Sequence, residues 1–422
     1  MAAQTQHVAE DKMKDVFYTE GAEELKAARI WIANFSLPRT GARLAASKRK
    51  QVALAAYVEK KQAKMRTASE AAQPKAGSDD DDTAMQAEEM VVEGEDEVDE
   101  EHTVFMDKAG RYRAMELGSS QIGDVRPISG ANFSPDGQCL ATCSWSGIAK
   151  VWTVPDCIEK FQLLGHSERL TDVKFSPGFK TGMLGQTNDG KTVGVATASA
   201  DMRVKLWSAN DMSDLHTLEG HTARLARIDF HPSGRFLGTA SFDRTWRLWD
   251  LETQKALLVQ EGHARAVYNI RFQRDGALAA STGLDAVCRV WDLRTGRSVI
   301  TLQGHVKQVL GMDFCPSGVR LATGSDDNTV RVWDLRRRKA LTVLPAHPSL
   351  VSSVKYSSCG DFLFTASYDR TVKVWNMLNN TCITTLAGHD EKVMCVDVSP
   401  EDTTVITTSY DRTFKLWTPG SY

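Results

Sequence analysis

The chain of 422 residues has no uninterrupted apolar run approaching the roughly 18 residues that a membrane-crossing helix needs, so a helical span is not expected. It shows no secretory leader built from a basic start, an apolar run and a small-residue cleavage site. It has eight cysteines, but no C-x-x-C pair and no Cys/His spacing of the zinc-binding kind. Cys139 and Cys143, four apart, fall on one face of a strand. They are read as small, reduced core residues of an intracellular protein. Residues 79–101 hold thirteen acids and not one Lys or Arg. Such a block cannot pack, which predicts a solvated, extended linker over 76–110. The net charge of −3 conceals a split. Residues 1–110 carry 15 basic against 22 acidic side chains, and 111–422 carry 36 against 32, giving −7 and +4.

What is present is a period. Trp152, Trp207, Trp249, Trp291, Trp333, Trp375 and Trp417 are separated by 55 and then five times by 42 residues. His221, His263, His305 and His389, each after Gly, and His347 after Ala, lie 28 residues before their Trp. Gly165-His166 opens the longer second unit. Within a unit, alternating runs such as 223–230 and 236–241 are bounded by turn residues such as His231-Pro232-Ser233-Gly234 and Asp243-Arg244-Thr245. This is the pattern of short strands joined in hairpins. Repeats of 40–45 residues with G-H and W-D marks resemble WD40 units. The expected fold is all-β, a seven-bladed WD40 β-propeller over 111–422 with a short helical N-terminal extension. Only five residues follow Trp417, so the outermost strand of the last blade is expected from about 112–121.

An Asp falls six residues before the Trp and a Ser eight before it. With the histidine they form sets that resemble the WD40 hydrogen-bond tetrad: His166, Ser199, Asp201 and Trp207; His221, Ser241, Asp243 and Trp249; His305, Ser325, Asp327 and Trp333; His347, Ser367, Asp369 and Trp375; His389, Ser409, Asp411 and Trp417. Buried polar groups need partners, and these would find each other. Ser–His–Asp catalysis is the alternative, but an active site is not stamped into blade after blade at fixed register. Blade four has Gly283 where the Ser stands elsewhere. Blade one has Asp124 for the His and Ser146 for the Asp, so it lacks the tetrad and is expected to be looser. The stretch Gly185 to Thr192 fits G-x-x-x-x-G-K-T. A phosphate loop needs a strand before it and a helix after it. Here the motif lies in the insert of the second unit, about 178–190, and a strand follows, so a surface loop is the better reading. No cofactor and no metal are expected.

Residues 20–37 have helical spacing, with acids at the start and Leu25, Ile32 and Phe35 along a stripe beside Trp31. Pro38 is expected to end the run. Residues 1–75 are therefore read as a helical segment. Its apolar residues must bury either on the propeller or on a partner; the partner is the favoured destination, because the acidic linker lets the segment move away. Basic residues cluster over 39–66, nine against one acid, and Lys48-Arg49-Lys50 with Lys60-Lys61 has the composition of a nuclear import signal.

Tyr18-Thr19-Glu20-Gly21 followed by KAARIWIANFSLPR resembles the pre-propeller segment of the pre-mRNA-processing factor four family, the WD40 subunits of the U4/U6 small nuclear ribonucleoprotein (snRNP). The stretch 119–157, including its missing Gly-His, is similar to that family's first blade, and SYDRTFKLW continues the likeness at the end. The resemblance implies a non-enzymatic scaffold in the nucleus. It would bind pre-mRNA-processing factor three, with a cyclophilin associated, and would help hold U4/U6 snRNA in the U4/U6.U5 tri-snRNP for mRNA splicing beside other tri-snRNP proteins. Another intracellular WD40 adaptor, such as a ubiquitin-ligase substrate receptor, is the competing reading.

A basic residue follows the Gly-His position in six units: Arg126, Arg169, Arg224, Arg265, Lys307 and Lys392. With the turn residues Arg244, Arg370 and Arg412 these are expected to form a basic crown on one rim, suited to phosphates or an acidic partner. Ordinary solvated charge is the plainer alternative. No aromatic interleaving is evident in the sequence, so contacts with phosphate backbone or protein are expected rather than with bases.

Overall fold

The computed structural model describes residues 23–71, 106–184 and 192–420. The acidic block at 79–101, the segment Tyr18–Gly21 and most of the G-x-x-x-x-G-K-T stretch lie outside them. Seven four-stranded antiparallel sheets make seven blades. Blade one runs through β2 (Ile128–Phe133), β3 (Cys139–Ser144), β4 (Ala149–Thr153) and β5 (Glu159–Leu163), innermost to outermost. Five blades repeat that order along the chain.

The last blade closes the ring. Its three strands, β26 (Val393–Val398), β27 (Val405–Ser409) and β28 (Thr413–Pro419), take their fourth from β1 (Met115–Ile122). Met115 pairs with Pro419 and Ile122 with Thr413. Residues 112 and 113, expected in that strand, instead end a short helix over 106–113, which also takes in the end of the expected 76–110 linker. Tyr112 is buried edge-on against Phe362 and Phe364 of blade six.

The apolar core lies between blades, because each sheet buries both faces against its neighbours. Leu237 and Trp249 of blade three, for example, pack with Ala196 and Leu206 of blade two. A second set of bonds runs around the central channel. The penultimate residues of the seven innermost strands are Asn132, Lys174, Asp229, Arg271, Asp313, Lys355 and Asp397. The carboxylates and the amide oxygen accept backbone N–H groups from the next blade: Phe175 to Asn132, Phe272 to Asp229, Tyr356 to Asp313 and Phe133 to Asp397. Arg271 pairs with Asp229 at 3.4 Å and Lys355 with Asp397 at 3.3 Å. The signs alternate from Lys174 to Asp397. Strict alternation cannot close on an odd number of blades, and the neutral Asn132 stands where the ring of charges would otherwise place two of one sign side by side. A like-charge neighbour in this half-dry channel is thereby avoided.

The amino-terminal helix, α1 (Glu23–Ala71), does not stop at Pro38. Proline removes the N–H that would reach the carbonyl of Asn34, at a cost of about 3 kcal/mol. The turns before it are held by packing, and beyond Thr40 and Gly41 the sequence is rich in the helix formers Ala, Leu, Arg and Lys. Contacts nevertheless divide the chain at this point: the helix up to Pro38 belongs with the propeller, and residues 39–111 form a separate unit. The helical extension is thus present and runs for 49 residues, past the stop expected at Pro38.

The apolar stripe of α1 is taken up by the propeller itself, the less favoured of its two expected destinations. Leu25, Ala28 and Ile32 are buried with Phe236, Leu248 and Leu258 of blade three and Leu293 of blade four. Trp31 meets the edge of Phe236 at 5.5 Å, stacks on Phe35, and lies under the Arg235 guanidinium. Phe35 reaches His231. Gly296 has φ +70°, and a Cβ there would lie 2.0 Å from the Arg29 guanidinium, so a larger residue would both strain the turn and displace Arg29. Burying one Leu or Ile stabilises by about 1.5–3 kcal/mol. A tether holds the segment at high effective concentration near any groove on its own chain, which favours this docking. Ile30 and Leu37 remain exposed on the outward face.

Candidate functional site

Each innermost strand begins, and the second strand ends, on one rim of the propeller, which we call the histidine rim. In blade three, the first residue of β10 (Leu225–Phe230) pairs with Ser241, the last residue of β11 (Phe236–Ser241). The loop carrying the His and the tight turn carrying the Asp therefore meet there. Helix α1 and Tyr112 dock by Phe236 and Phe362, first residues of second strands, and so sit at the opposite rim.

The tetrad is present, with a different hydroxyl. His221 Nδ1 lies 2.7 Å from Asp243 Oδ2, and His221 Nε2 lies 2.7 Å from the Thr239 hydroxyl. The Trp249 indole N–H donates to the same hydroxyl at 3.0 Å. A carboxylate only accepts, so Nδ1 carries the ring proton. Nε2 then accepts from the Thr hydroxyl, which in turn accepts from the indole. This order of donors needs a hydroxyl at its centre, a group able to donate and accept at once. Thr197, Thr323, Thr365 and Thr407 fill that place in their blades. The serines expected there do something else. Ser241 donates to the carbonyls of Ala223 and Arg224 and accepts the amide of Asp243, holding the loop to the turn. Ser199, Ser325, Ser367 and Ser409 likewise bond loop carbonyls and the turn amide.

Blade four, left out of the expected sets, is complete. Ser281 bridges His263 and Trp291 at 2.8 Å on both sides, and His263 engages both oxygens of Asp285. Ser281 holds the same register as Thr239, and the carboxylate and ring close over Gly283, where a Cβ would lie 2.6 Å from Asp285 Oδ1 and 2.8 Å from His263 Nδ1. Blade one reverses the pair, with the Ser146 hydroxyl donating to the buried Asp124 carboxylate, so loop and turn stay tied without an imidazole. Trp152 still donates to Thr142 at 2.9 Å.

These groups are spent on each other. Burial lowers the pKa of His221, His305 and His347, outweighing the facing carboxylates. Burial alone would raise Asp243, Asp327 and Asp411, but the His and Thr donors around them hold all three below the usual carboxylate range. Both shifts favour the folded state toward neutral pH. Below about 6.5 the unfolded chain takes up protons that the folded histidines refuse. Below about 4 the carboxylates add a second loss, as pH falls toward their folded values. The urea midpoint is therefore expected to fall continuously from pH 7 and more steeply below pH 4. A flat midpoint between pH 7 and 4.5 would contradict neutral buried histidines.

The basic residues do gather on the histidine rim. Arg126, Arg244, Arg265, Lys307, Arg370, Lys392 and Arg412 are exposed, and Arg169 and Arg224 are half-buried. Lys307 faces Asp326 at 3.9 Å. Arg244, Arg370 and Arg412 hold left-handed turn positions with φ near +71°, where blade five has Asn328 and blade one Gly147. The side chain costs about 1 kcal/mol there relative to glycine.

Aromatic residues, which the sequence reading did not find, share this rim. The residue after the last serine of the second strand (Ser144, Ser241, Ser367 or Ser409) is Trp145, Phe242, Tyr368 or Tyr410 in four blades. Its amide is bonded to a loop carbonyl, for example Phe242 to Arg224 at 3.0 Å and Tyr410 to Lys392 at 2.9 Å. Arg224 lies 3.8 Å above the Phe242 ring, Arg169 5.2 Å above Trp145, and Lys392 5.1 Å above Tyr368. The signal was in the sequence at a fixed register, seven residues before each Trp, but alternates with Ala200, Leu284 and Asp326.

Among the described residues no group of three or more His, Cys, Asp or Glu stands ready to hold a metal, and no helix is long and apolar enough to cross a membrane. Six of the cysteines are buried, while Cys359 and Cys382 are exposed.

The model of the WD domain, G-beta repeat, matches seven times, over 119–153, 156–208, 212–250, 254–292, 296–334, 338–376 and 380–418. The chain is 44% identical over 216 residues to a U4/U6 small nuclear ribonucleoprotein PRP4-like protein of Arabidopsis thaliana, which covers 51% of this chain and 29% of that protein. It is 42% identical over 192 residues to U4/U6 small nuclear ribonucleoprotein Prp4 of Mus musculus, covering 46% and 28%. The same identity holds over 169 residues with the Homo sapiens Prp4, covering 40% and 24%. The matched stretches thus span less than a third of each relative's length. With seven repeats closed on one ring, the chain belongs to the WD domain, G-beta repeat (WD40) family, and within it is similar to the Prp4-type proteins.

Proposed function

We propose that the chain is a non-enzymatic scaffold subunit of the U4/U6 snRNP, acting in the nucleus within the U4/U6.U5 tri-snRNP during pre-mRNA splicing. The observation that carries this reading is the stretch 44% identical to a U4/U6 snRNP protein. The rim supports it. Its repeated imidazole, hydroxyl and carboxylate groups are mutually bonded, while its exposed groups include seven cations suited to an RNA–protein particle, beside the exposed acids Glu168, Asp390 and Glu391. Pre-mRNA-processing factor three, a cyclophilin and U4/U6 snRNA are the proposed partners.

The test is to tag the full chain, purify it from nuclear extract and sequence the small RNAs that accompany it. U4 and U6 enriched together are the expected result. A soluble, folded protein that carries neither would overturn the reading. Reversing Arg244, Arg370 and Arg412 together to Glu is expected to reduce the recovered U4/U6 RNA while leaving the urea midpoint near that of the parent. Unchanged recovery would remove the crown from the proposal.

A further inference from the structure

The cations and rings of the histidine rim form an ordered arc. It starts on blade six at Tyr368, under Lys392 of blade seven. Tyr410 of blade seven then meets Trp145 of blade one edge-on, at 5.5 Å and 88°. Arg169 of blade two covers Trp145, and Arg224 of blade three covers Phe242, whose edge meets Tyr268 of blade four at 6.5 Å. Blade five interrupts the arc, with Asp326 at the ring position and its carboxylate turned to Lys307. Tyr410 is 42% exposed, and Trp145, Phe242, Tyr268 and Tyr368 are half-buried, so these rings do not belong to the inter-blade core.

We propose that this arc is a platform for single-stranded RNA, on which bases stack against the rings and the guanidinium planes while phosphates meet the cations. An acidic peptide would answer the charge but make no use of the rings. A duplex offers phosphates but hides its base faces. A single strand presents both. A base stacks on any of these faces irrespective of its edge, so recognition is sequence-tolerant and follows stacking strength. The proposal deepens the snRNP reading by placing direct RNA contact on one rim.

The experiment is fluorescence anisotropy with the purified full chain and labelled 12-nucleotide oligoadenylate, 12-nucleotide oligouridylate and a 12-base-pair RNA duplex at fixed salt. Oligoadenylate is expected to bind tighter than oligouridylate, and both tighter than the duplex. Tyr410→Ala and Trp145→Ala are each expected to weaken oligoadenylate binding about tenfold, the scale of one lost stacking contact. Tyr410→Phe and Trp145→Phe keep the ring and should bind like the parent. Lys392→Gln should lower the dependence of affinity on salt. Because Tyr410 is exposed, its alanine variant tests the idea even if Trp145→Ala unfolds. Duplex bound as tightly as single strand, ring variants bound like the parent, or polyglutamate competing as strongly as RNA would each overturn the platform. The two readings fail separately. Parent protein that recovers U4 and U6 from extract yet binds no single strand alone would sink the platform and leave the scaffold. Single-strand binding without recovered U4 and U6 would do the reverse.

Discussion

Thr239→Val is expected to lower the stability of the propeller by about 3 kcal/mol, and Ser241→Ala by about 1 kcal/mol, although both hydroxyls are fully buried and sit two residues apart on one strand. The valine keeps the shape of the side chain and removes the one group that joins His221 to Trp249. Two buried polar atoms are then orphaned, His221 Nε2 and the indole N–H. Each costs about 1–3 kcal/mol, because the water they gave up on folding is not replaced. Ser241→Ala frees only the carbonyls of Ala223 and Arg224 and the amide of Asp243, half-buried residues at the rim whose backbone groups lie nearer to water. Thr239→Ser should behave like the parent, since blade four already uses Ser281. Urea unfolding at pH 7 gives the ranking. A serine loss equal to or larger than the threonine loss would return the central role to Ser241.

The two hydroxyls also show where sequence reading stops. The period, the seven blades and the closing strand from the amino-terminal side were all legible, because Gly-His and Trp recur at fixed spacing and a repeat must close on itself. The choice between Thr239 and Ser241 was not. Residues two apart on a strand face the same way, and both types recur in nearly every unit. The decision lies across the strand pair. Leu237 is opposite Trp249, so the indole reaches diagonally to Thr239, one step short of the serine. The part of α1 before Pro38 was legible as a helix with an apolar stripe, but its continuation and the choice between propeller and partner were not. That depended on the groove between blades three and four, assembled from residues far along the chain. The aromatic arc stayed hidden for the same reason. Trp145 and Tyr410 are neighbours only after the ring has closed.

The second large effect is expected inside the channel, where ring closure again joins distant residues. Arg227 of blade three donates to Asp172 of blade two at 3.0 Å, across 55 residues of sequence. Both side chains are shut away, 8% and 1% exposed. Burial alone would lower the Arg227 pKa, and the Asp172 carboxylate reverses the effect and raises it. Asp172 also accepts the amide of Ile228, and Arg227 leans on the carbonyl of Ser129 in blade one. Three consecutive blades are stitched at this point. Asp172→Asn keeps an acceptor for Ile228 but strands the guanidinium, and is expected to cost about 3–5 kcal/mol. Arg227→Met in the parent strands the carboxylate and should cost a similar amount. The double variant, Asp172→Asn with Arg227→Met, has no charge left to strand. It is expected to be more stable than either single variant, because the desolvation of both ions is no longer suffered on folding. Urea midpoints of the four proteins close the cycle. Additive losses in the double variant would mean that the two residues act independently. The register of these three blades would then rest on the apolar core and the other bonds around the channel, among them those to Asn132, Asp229, Asp313 and Asp397.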